Sequence, residues 1–313
     1  MAEFKKGLVS VILPFYNCEE FMYRALSGLL NQSYKNIQII ILNDGSTDKT
    51  EEYFFKEYID KFKSENFLVD YHYHTNVGLA KTFNIGLKHV KGEYLTWIDP
   101  DDFLDINAIK YKVDFLNKNK SYSFVRNNAK VVNENNIDKI VHVLKSNKNE
   151  FIFEDLLLER KMPLCAGNYL LRTDVFFKCL HNRNIIDKYR SQNWPSLLPI
   201  AYKNKCGYID EVLNTIVIRN SSMSADSSYN EVMFRLSEHE VLLNDVLDYI
   251  GAYEYKNEVN KKYTSTKLIQ AVKFNNKSDI IKYSKKGNNI KAKLSLLLYR
   301  LGISNLIWCK KNV

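Results

Sequence analysis

Short apolar runs alternate with helically spaced apolar positions over the first hundred residues. Val9-Ser10-Val11-Ile12-Leu13 reads as a strand, ended by Pro14 before Phe15-Tyr16-Asn17. Phe21, Ala25, Leu26, Leu29 and Leu30 then share one face of a predicted helix. Ile37 to Leu42 is a second apolar run that closes on Asn43-Asp44-Gly45-Ser46, and Asp48 with Glu51 predicts a capping pair for the next helix. Phe67 to Tyr73 predicts a third strand, Asn76-Val77-Gly78 a turn, Leu79 to Val90 a helix, and Tyr94 to Ile98 a fourth strand. Continuous apolar runs suit strands covered on both faces, and β-α-β-α-β-α-β predicts a doubly wound, mostly parallel sheet flanked by helices.

Later residues are less regular. A helix is expected from Asn107 to Leu116, two or three strands between Tyr122 and Val143, and a helix from Glu150 to Arg160. A small-residue loop through Gly167 runs into another strand, and Thr215 to Arg219 predicts a last one, followed by the polar Asn220-Ser221-Ser222-Met223-Ser224. From Glu231 onward the pattern is helical, with few glycines and no proline.

Each early strand ends in polar, turn-forming residues, and in a parallel sheet those ends lie along one edge, where ligands bind. The fourth strand ends in Asp99-Pro100-Asp101-Asp102. Asp99 and Asp101 are two residues apart, so an extended backbone turns both carboxylates to one side. Such a pair suits Mg²⁺ or Mn²⁺, which can in turn hold the phosphates of a nucleotide. Asp-Pro-Asp-Asp is also good turn chemistry, and that alternative stays open at this point. No G-x-G-x-x-G or G-x-x-x-x-G-K-[ST] is present, which speaks against a dinucleotide fold and a P-loop.

Composition narrows the class. At 313 residues, 45% hydrophobic and 26% charged, with a mean hydropathy of −0.34, the chain reads as a soluble globular protein. Cys18, Cys165, Cys179, Cys206 and Cys309 fit neither a zinc spacing nor a disulfide framework, and are expected as reduced thiols in the cytosol. The apolar run near the N-terminus is too short and interrupted for a signal peptide. Charge is uneven. From Lys261 onward there are 13 Lys or Arg and one acid, Asp279, so that +12 of the net +9 lies in the tail and the first 260 residues carry −3. A nucleic-acid enzyme would carry its basic surface beside its site, so no nucleic acid is expected as partner.

Four motifs together resemble a known family, glycosyltransferase family 2. Pro14-Phe15-Tyr16-Asn17-Cys18-Glu19 is similar to its P-x-Y-N-x-E opening, and Asn43-Asp44-Gly45-Ser46-Thr47-Asp48 to its D-D-G-S-T-D. Asn76-x-Gly78 with Asn84-x-Gly86 resembles its paired N-x-G segment, and Asp99-Pro100-Asp101-Asp102 its D-x-D-D. The resemblance is strong over residues 8–105 and looser over 106–220. It implies a Rossmann-like GT-A fold that transfers a sugar from a nucleotide sugar, UDP-linked, with Mn²⁺ or Mg²⁺. Carried across by motif, Pro14, Phe15, Tyr16, Asn17, Glu19, Asn43, Asp44, Asn76 and Gly78 belong to the nucleotide side, Pro14 and Tyr16 flanking the base and Asp44 accepting from its ring N–H. Asp99 would meet the ribose or sugar, and Asp101, with Asp99, the metal. Arg219 would meet the diphosphate, or else is an ordinary edge-strand charge. Gly167, Gln192 and Trp194 would line the acceptor side, Trp194 as a stacking platform or as an ordinary core aromatic. The implied division is a catalytic domain over 1–220, its nucleotide-sugar half about 1–105 and its acceptor half about 106–220, and a helical basic extension over 221–313.

The departures bear on mechanism. Asn43 replaces an acid, and Phe83 stands where an arginine is common, with Lys81 as a substitute charge. Ser191-Gln192-Asn193-Trp194 occupies the place of the family's acidic pair, and neither Gln192 nor Asn193 can take a proton. Asp102 or Asp187 would then serve as base, or the acceptor or a retaining route needs none, or the protein binds without turnover. The expected function is a glycosyltransferase of surface polysaccharide or glycoconjugate synthesis, acting on a glycan or lipid-linked acceptor. A non-catalytic partner subunit is the alternative, and a sugar-nucleotide nucleotidyltransferase a weaker one. Leu294, Leu297, Leu298, Leu301 and Trp308, widened by Leu296, Ile303, Leu306 and Ile307 and flanked by lysines, predict a helix lying on an anionic membrane, the alternative being a C-terminal helix docked on the catalytic domain with a solvated basic side. That places the chain in the cytoplasm, peripheral at the inner face of the plasma membrane.

Overall fold

The computed structural model describes residues 4–160, 162–219, 228–285 and 290–301. It forms two compact units, Met1–Arg219 and Asn220–Val313.

The first unit opens with β1 (Lys5–Phe15), α1 (Tyr23–Leu30), β2 (Ile37–Asp44), α2 (Thr50–Glu57), α3 (Ile59–Ser64), β3 (Leu68–His74), α4 (Leu79–Leu87) and β4 (Gly92–Trp97). β1 lies between β2 and β4, with β3 beyond β2, all parallel, and Val9 pairs with both Ile37 and Tyr94. β2 buries every residue, which is why its sequence is apolar without alternation. Pro14 does not end β1; it pairs with Leu42, and β4 stops opposite Ile12, so no ladder partner is lost on that side. The cap of α2 also differs from expectation. Asp48 accepts from Thr50 N–H at 3.0 Å, and the second acid is Glu19, from the loop after β1, accepting from Lys49 N–H at 2.6 Å in place of Glu51.

The unit continues with β5 (Phe103–Leu104), α5 (Ala108–Lys118), β6 (Phe124–Asn133), β7 (Asn136–Leu144), α6 (Phe153–Leu157), β8 (Tyr169–Arg172), α7 (Thr173–Lys178), α8 (Asn193–Ala201) and β9 (Cys206–Ile218). The sheet order is β3-β2-β1-β4-β8-β6-β9-β5, with β7 paired to β6. β8 runs antiparallel to β4 and β6, and β9 parallel to β6, so the sheet is mostly but not wholly parallel. The helix expected over 150–160 shrinks to the five residues of α6. The apolar faces of β1 and β2 meet α1, α2, α3 and α5 in one core that includes Val11, Leu13, Ile39, Ile41, Leu26, Phe54, Phe62 and Val113.

The second unit is helical: α9 (Tyr229–Ile250), α10 (Lys256–Lys273), α11 (Lys277–Ser284) and α12 (Ile290–Arg300). Ser228 and Glu231 close a reciprocal capping box on α9. Leu268, Ala271, Val272 and Ile280 form a small core on which Leu296 and Tyr299 of α12 pack. Leu296 thus faces inward, not along the expected membrane-facing stripe, whereas Ile290, Leu294, Leu297 and Leu301 are each more than half exposed. Ile303, Leu306, Ile307 and Trp308 of that predicted stripe lie outside the described residues. Among the described residues no helix is long and apolar enough to cross a membrane.

Candidate active site

The loops that leave β1, β2 and β3 are tied to one another by side chains the motifs supply. Asn17 takes the left-handed conformation (φ 45°), its N–H donates to Ser46 Oγ at 3.1 Å, and its Oδ1 accepts from Thr47 N–H at 2.8 Å. Gly45 has φ +69°, and a Cβ there would stand 2.7 Å from Asn76 N, so only glycine lets the second and third loops touch. Asp44 is almost fully buried and accepts from Val77 N–H at 2.7 Å and Gly78 N–H at 3.0 Å. Asn76 Nδ2 returns a bond of 3.1 Å to the Asp44 carbonyl. The D-G-S and N-x-G motifs therefore build one rigid rim, and Tyr16, Asn17 and Asn76 are exposed on it.

Three expected nucleotide contacts face inward. Phe15 is fully buried, packed edge-on against Phe54, and Pro14 is buried beside it in β1. Asn43 is fully buried with both amide ends engaged, Nδ2 to Tyr71 Oη at 2.9 Å and Oδ1 to Ser46 N–H at 2.9 Å. The reason in each case is position on a strand buried on both faces, where only residues past the strand end reach the edge. Lys81 is exposed on α4, and Phe83 fills the space an arginine would take, its ring 5.3 Å from Trp97.

The acids after β4 divide by role. Asp102 is buried, and its Oδ1 accepts from Val217 N–H of β9 at 3.0 Å. Burial, then the charges of Asp99 and Asp101, push its carboxyl well above the usual range. Burial and the Asp101 charge likewise push Asp99 up to about 7. Asp101 is partly exposed; Arg219 Nε lies 2.8 Å from its Oδ2, and Arg24 Nη1 lies 3.5 Å from its carbonyl. Crowded carboxylates whose charges oppose one another are a hard oxygen donor set that a divalent cation relieves, so the residues fit Mg²⁺ or Mn²⁺. Among the described residues no three His, Cys, Asp or Glu side chains are grouped so as to hold a metal ion.

On the other side of β4, Trp97 donates its indole N–H to Asn193 Oδ1 at 2.9 Å. Indole is a donor only, so the Asn193 amide oxygen must face it and the NH₂ is left to point elsewhere. Gln192 is buried and so is Trp194, which is therefore a core aromatic and not an open stacking platform. Gly167 is buried as well, with φ +77°, its N–H on the Trp97 carbonyl at 2.6 Å and its carbonyl on Lys112 Nζ at 2.5 Å. It shapes the floor under β4 and does not line an open face. Asp187 Oδ2 accepts from Asn84 Nδ2 at 3.0 Å, and Asn84 also bonds the carbonyl and N–H of Ile185 at 3.0 and 2.9 Å. The second N-x-G asparagine thus clamps the segment that leads to α8.

Arg24, Trp97 and Lys112 take part in the site without having been singled out from the sequence, and Asn84 stood out there only as a motif residue with no role assigned. Arg24 carried a signal: it stands in a helix whose neighbours Ala25 and Leu26 are core residues, and it is 7% exposed. Lys112, 1% exposed in α5, carried the same one.

The family model of "Glycosyl transferase family 2" matches residues 10–180. An uncharacterized glycosyltransferase of Rickettsia typhi, RT0329, is 42% identical over 111 residues, 36% of this chain and 32% of the relative, so the match spans only about a third of that protein. In fold, the chain is similar to S. aureus TarS 1-349 in complex with UDP-GlcNAc (TM-score 0.58, 17% identity, 94% of this chain and 92% of that one). It is also similar to the mannosyltransferase PcManGT from Pyrobaculum calidifontis in complex with GDP-Man and Mn²⁺ (TM-score 0.55, 14% identity, 97% and 88%). Both likenesses concern the fold, a GT-A type sheet with helices around it. Since the matched residues make up just over half of the sequence, and its four strand-end motifs assemble one sheet edge, the chain belongs to glycosyl transferase family 2.

Proposed function

We propose that this chain transfers a sugar from a UDP-linked nucleotide sugar to a glycan or lipid-linked acceptor in surface polysaccharide or glycoconjugate synthesis. The observation that carries the reading is the crowding of Asp99, Asp101 and Asp102 at the end of β4, beside Arg219 and Arg24 and on the same sheet edge as the Asp44 rim. Asp101, with Asp99, would hold Mn²⁺ or Mg²⁺. When bound, the cation supplies charge stabilisation to the departing diphosphate without a proton. The rim at Tyr16, Asp44 and Asn76 would receive the nucleoside, although Asp44 Oδ1 also has His74 Nδ1 at 3.4 Å beside its backbone bond. Arg219 would offer a guanidinium to the diphosphate.

The acceptor side needs a base for an inverting transfer. Asp102 is a poor one, since it is buried and holds β9. Asp187 suits the role better, being partly exposed and oriented by Asn84 on the segment before Asn193. The amide orientation of Asn193 supports a positioning role for that residue. It also favours the second reading, a partner subunit without turnover. Support for a membrane-bound location is the apolar stripe of Ile290, Leu294, Leu297 and Leu301 in a chain end rich in lysine. The test of the main reading is thermal unfolding with UDP and Mn²⁺, because a ligand of the native state raises the melting temperature by mass action. A rise that chelator removes is expected, and no shift at millimolar UDP refutes it.

A further inference from the structure

Arg219 is held in place by contacts of two kinds. Its Nε lies 2.8 Å from Asp101 Oδ2, its guanidinium carbon lies 3.7 Å from the centre of the Phe21 ring, and both members of the ion pair are largely shielded, at 16% and 20% side-chain exposure. Two residues earlier, Val217 N–H is bonded to Asp102. Consecutive aspartates therefore grip the end of β9 in different ways. Asp102 uses a neutral backbone donor on an interior strand, a bond that any ligand would leave alone. Asp101 uses a cation, and it is the carboxylate best exposed to receive a different one.

Stacking leaves the edge of the guanidinium free to donate, and a planar fork on an aromatic face suits carboxylate and phosphate oxygens equally well. Asp101 carries a single negative charge. A guanidinium and a divalent cation on the same carboxylate would repel, so the two states exclude each other. We infer that Arg219 is a resident stand-in for the metal: it neutralises Asp101 in the nucleotide-free chain and leaves that carboxylate only when a nucleoside diphosphate offers it another anion. This rests on the reading of Asp101 as the metal ligand. The consequence is a coupling. Free Mn²⁺ must displace a bound cation and binds poorly, whereas UDP removes the competitor, so each ligand tightens the other by the same factor.

The test uses the full chain. Unbound Mn²⁺ is followed by its electron paramagnetic resonance signal during titration of wild type, Arg219→Gln and Asp101→Asn, with and without saturating UDP. Arg219→Gln should bind Mn²⁺ alone at least about fivefold more tightly than wild type, and UDP should then improve it far less, a typical size for such couplings. UDP affinity, by calorimetry in the presence of Mn²⁺, should fall in the same variant. Opposite signs for the two ligands are the signature, since a merely structural ion pair would weaken both. Unchanged or weaker nucleotide-free Mn²⁺ binding in Arg219→Gln overturns the inference. The underlying reading fails separately: Mn²⁺ binding by Asp101→Asn equal to wild type, or no Mn²⁺ bound by wild type even with UDP, removes the metal site and the stand-in together.

Discussion

Asn84→Ala decides whether the second N-x-G asparagine serves a ligand or the fold. Asn84 is 7% exposed and makes three bonds: two from Nδ2, to the Ile185 carbonyl and Asp187, and one to its Oδ1 from Ile185 N–H. Ile185 is itself buried, so alanine strands a backbone donor and acceptor away from water. Each stranded buried group costs about 1–3 kcal/mol, so the two together give roughly 2–6 kcal/mol. For a unit of about 220 residues, at about 2–4 °C per kcal/mol, the melting temperature should drop by about 4–24 °C. Circular dichroism of the full chain, following the transition that UDP and Mn²⁺ are expected to raise, reads this directly. Asn84→Asp should be destabilised in a pH-dependent way, because it puts a second carboxylate at the 3.0 Å contact with Asp187, and adding Asp187→Asn should restore part of the loss. A drop of under 2 °C in Asn84→Ala, with nucleotide binding lost, would show that the clamp is incidental.

The other predictions concern separate groups. Asp187→Asn should reduce UDP release from a panel of UDP-sugars by about two to four orders of magnitude while keeping UDP stabilisation, and Asn193→Asp in that background should recover part of it; near-normal release in Asp187→Asn rejects the base assignment. Burial lowers Lys112 to about 7 from 10.5, so above that value the unfolded chain binds the extra proton and native stability rises with pH. Denaturant titrations between pH 7 and 9 should show that rise, up to about 1.4 kcal/mol per pH unit, flattened in Lys112→Met; parallel profiles for both proteins contradict it. Finally, the full chain should co-sediment with anionic but not neutral vesicles, in a salt-sensitive manner, and a version ending at Asn289 should not; equal behaviour of the two versions excludes the membrane role of the tail.

The parallel half of the sheet was readable because β1, β2 and β4 are largely buried and their sequences are mostly apolar, with Ser10, Gln38 and Thr96 as polar exceptions inside them. The acceptor half was harder. β9 alternates exposed and buried stretches along 13 residues, and only its last four positions looked like a strand. Motif positions showed which loops meet, but not which side chains turn inward. Phe15, Asn43, Gly167 and Trp194 sit in motif segments and serve the core, since a one-residue step reverses the side a residue faces on a strand and turns it by about 100° on a helix. The Asn84 clamp and the Trp97–Asn193 bond join segments about a hundred residues apart, and no local pattern encodes them.

That long reach has a consequence in time. Asp102 and its partner Val217 are separated by 115 positions, and Asp101 and Arg219 by 118. At about 5–20 residues per second, a ribosome exposes the aspartates roughly 6–24 s before β9 is made. During that interval the nascent chain holds its most acidic turn open to water, ionised and unclasped. The residues up to about 105 thus have the rim of Asp44 and Asn76 before the acidic turn has its partners. Completion of the acidic edge waits for the last strand to be synthesised.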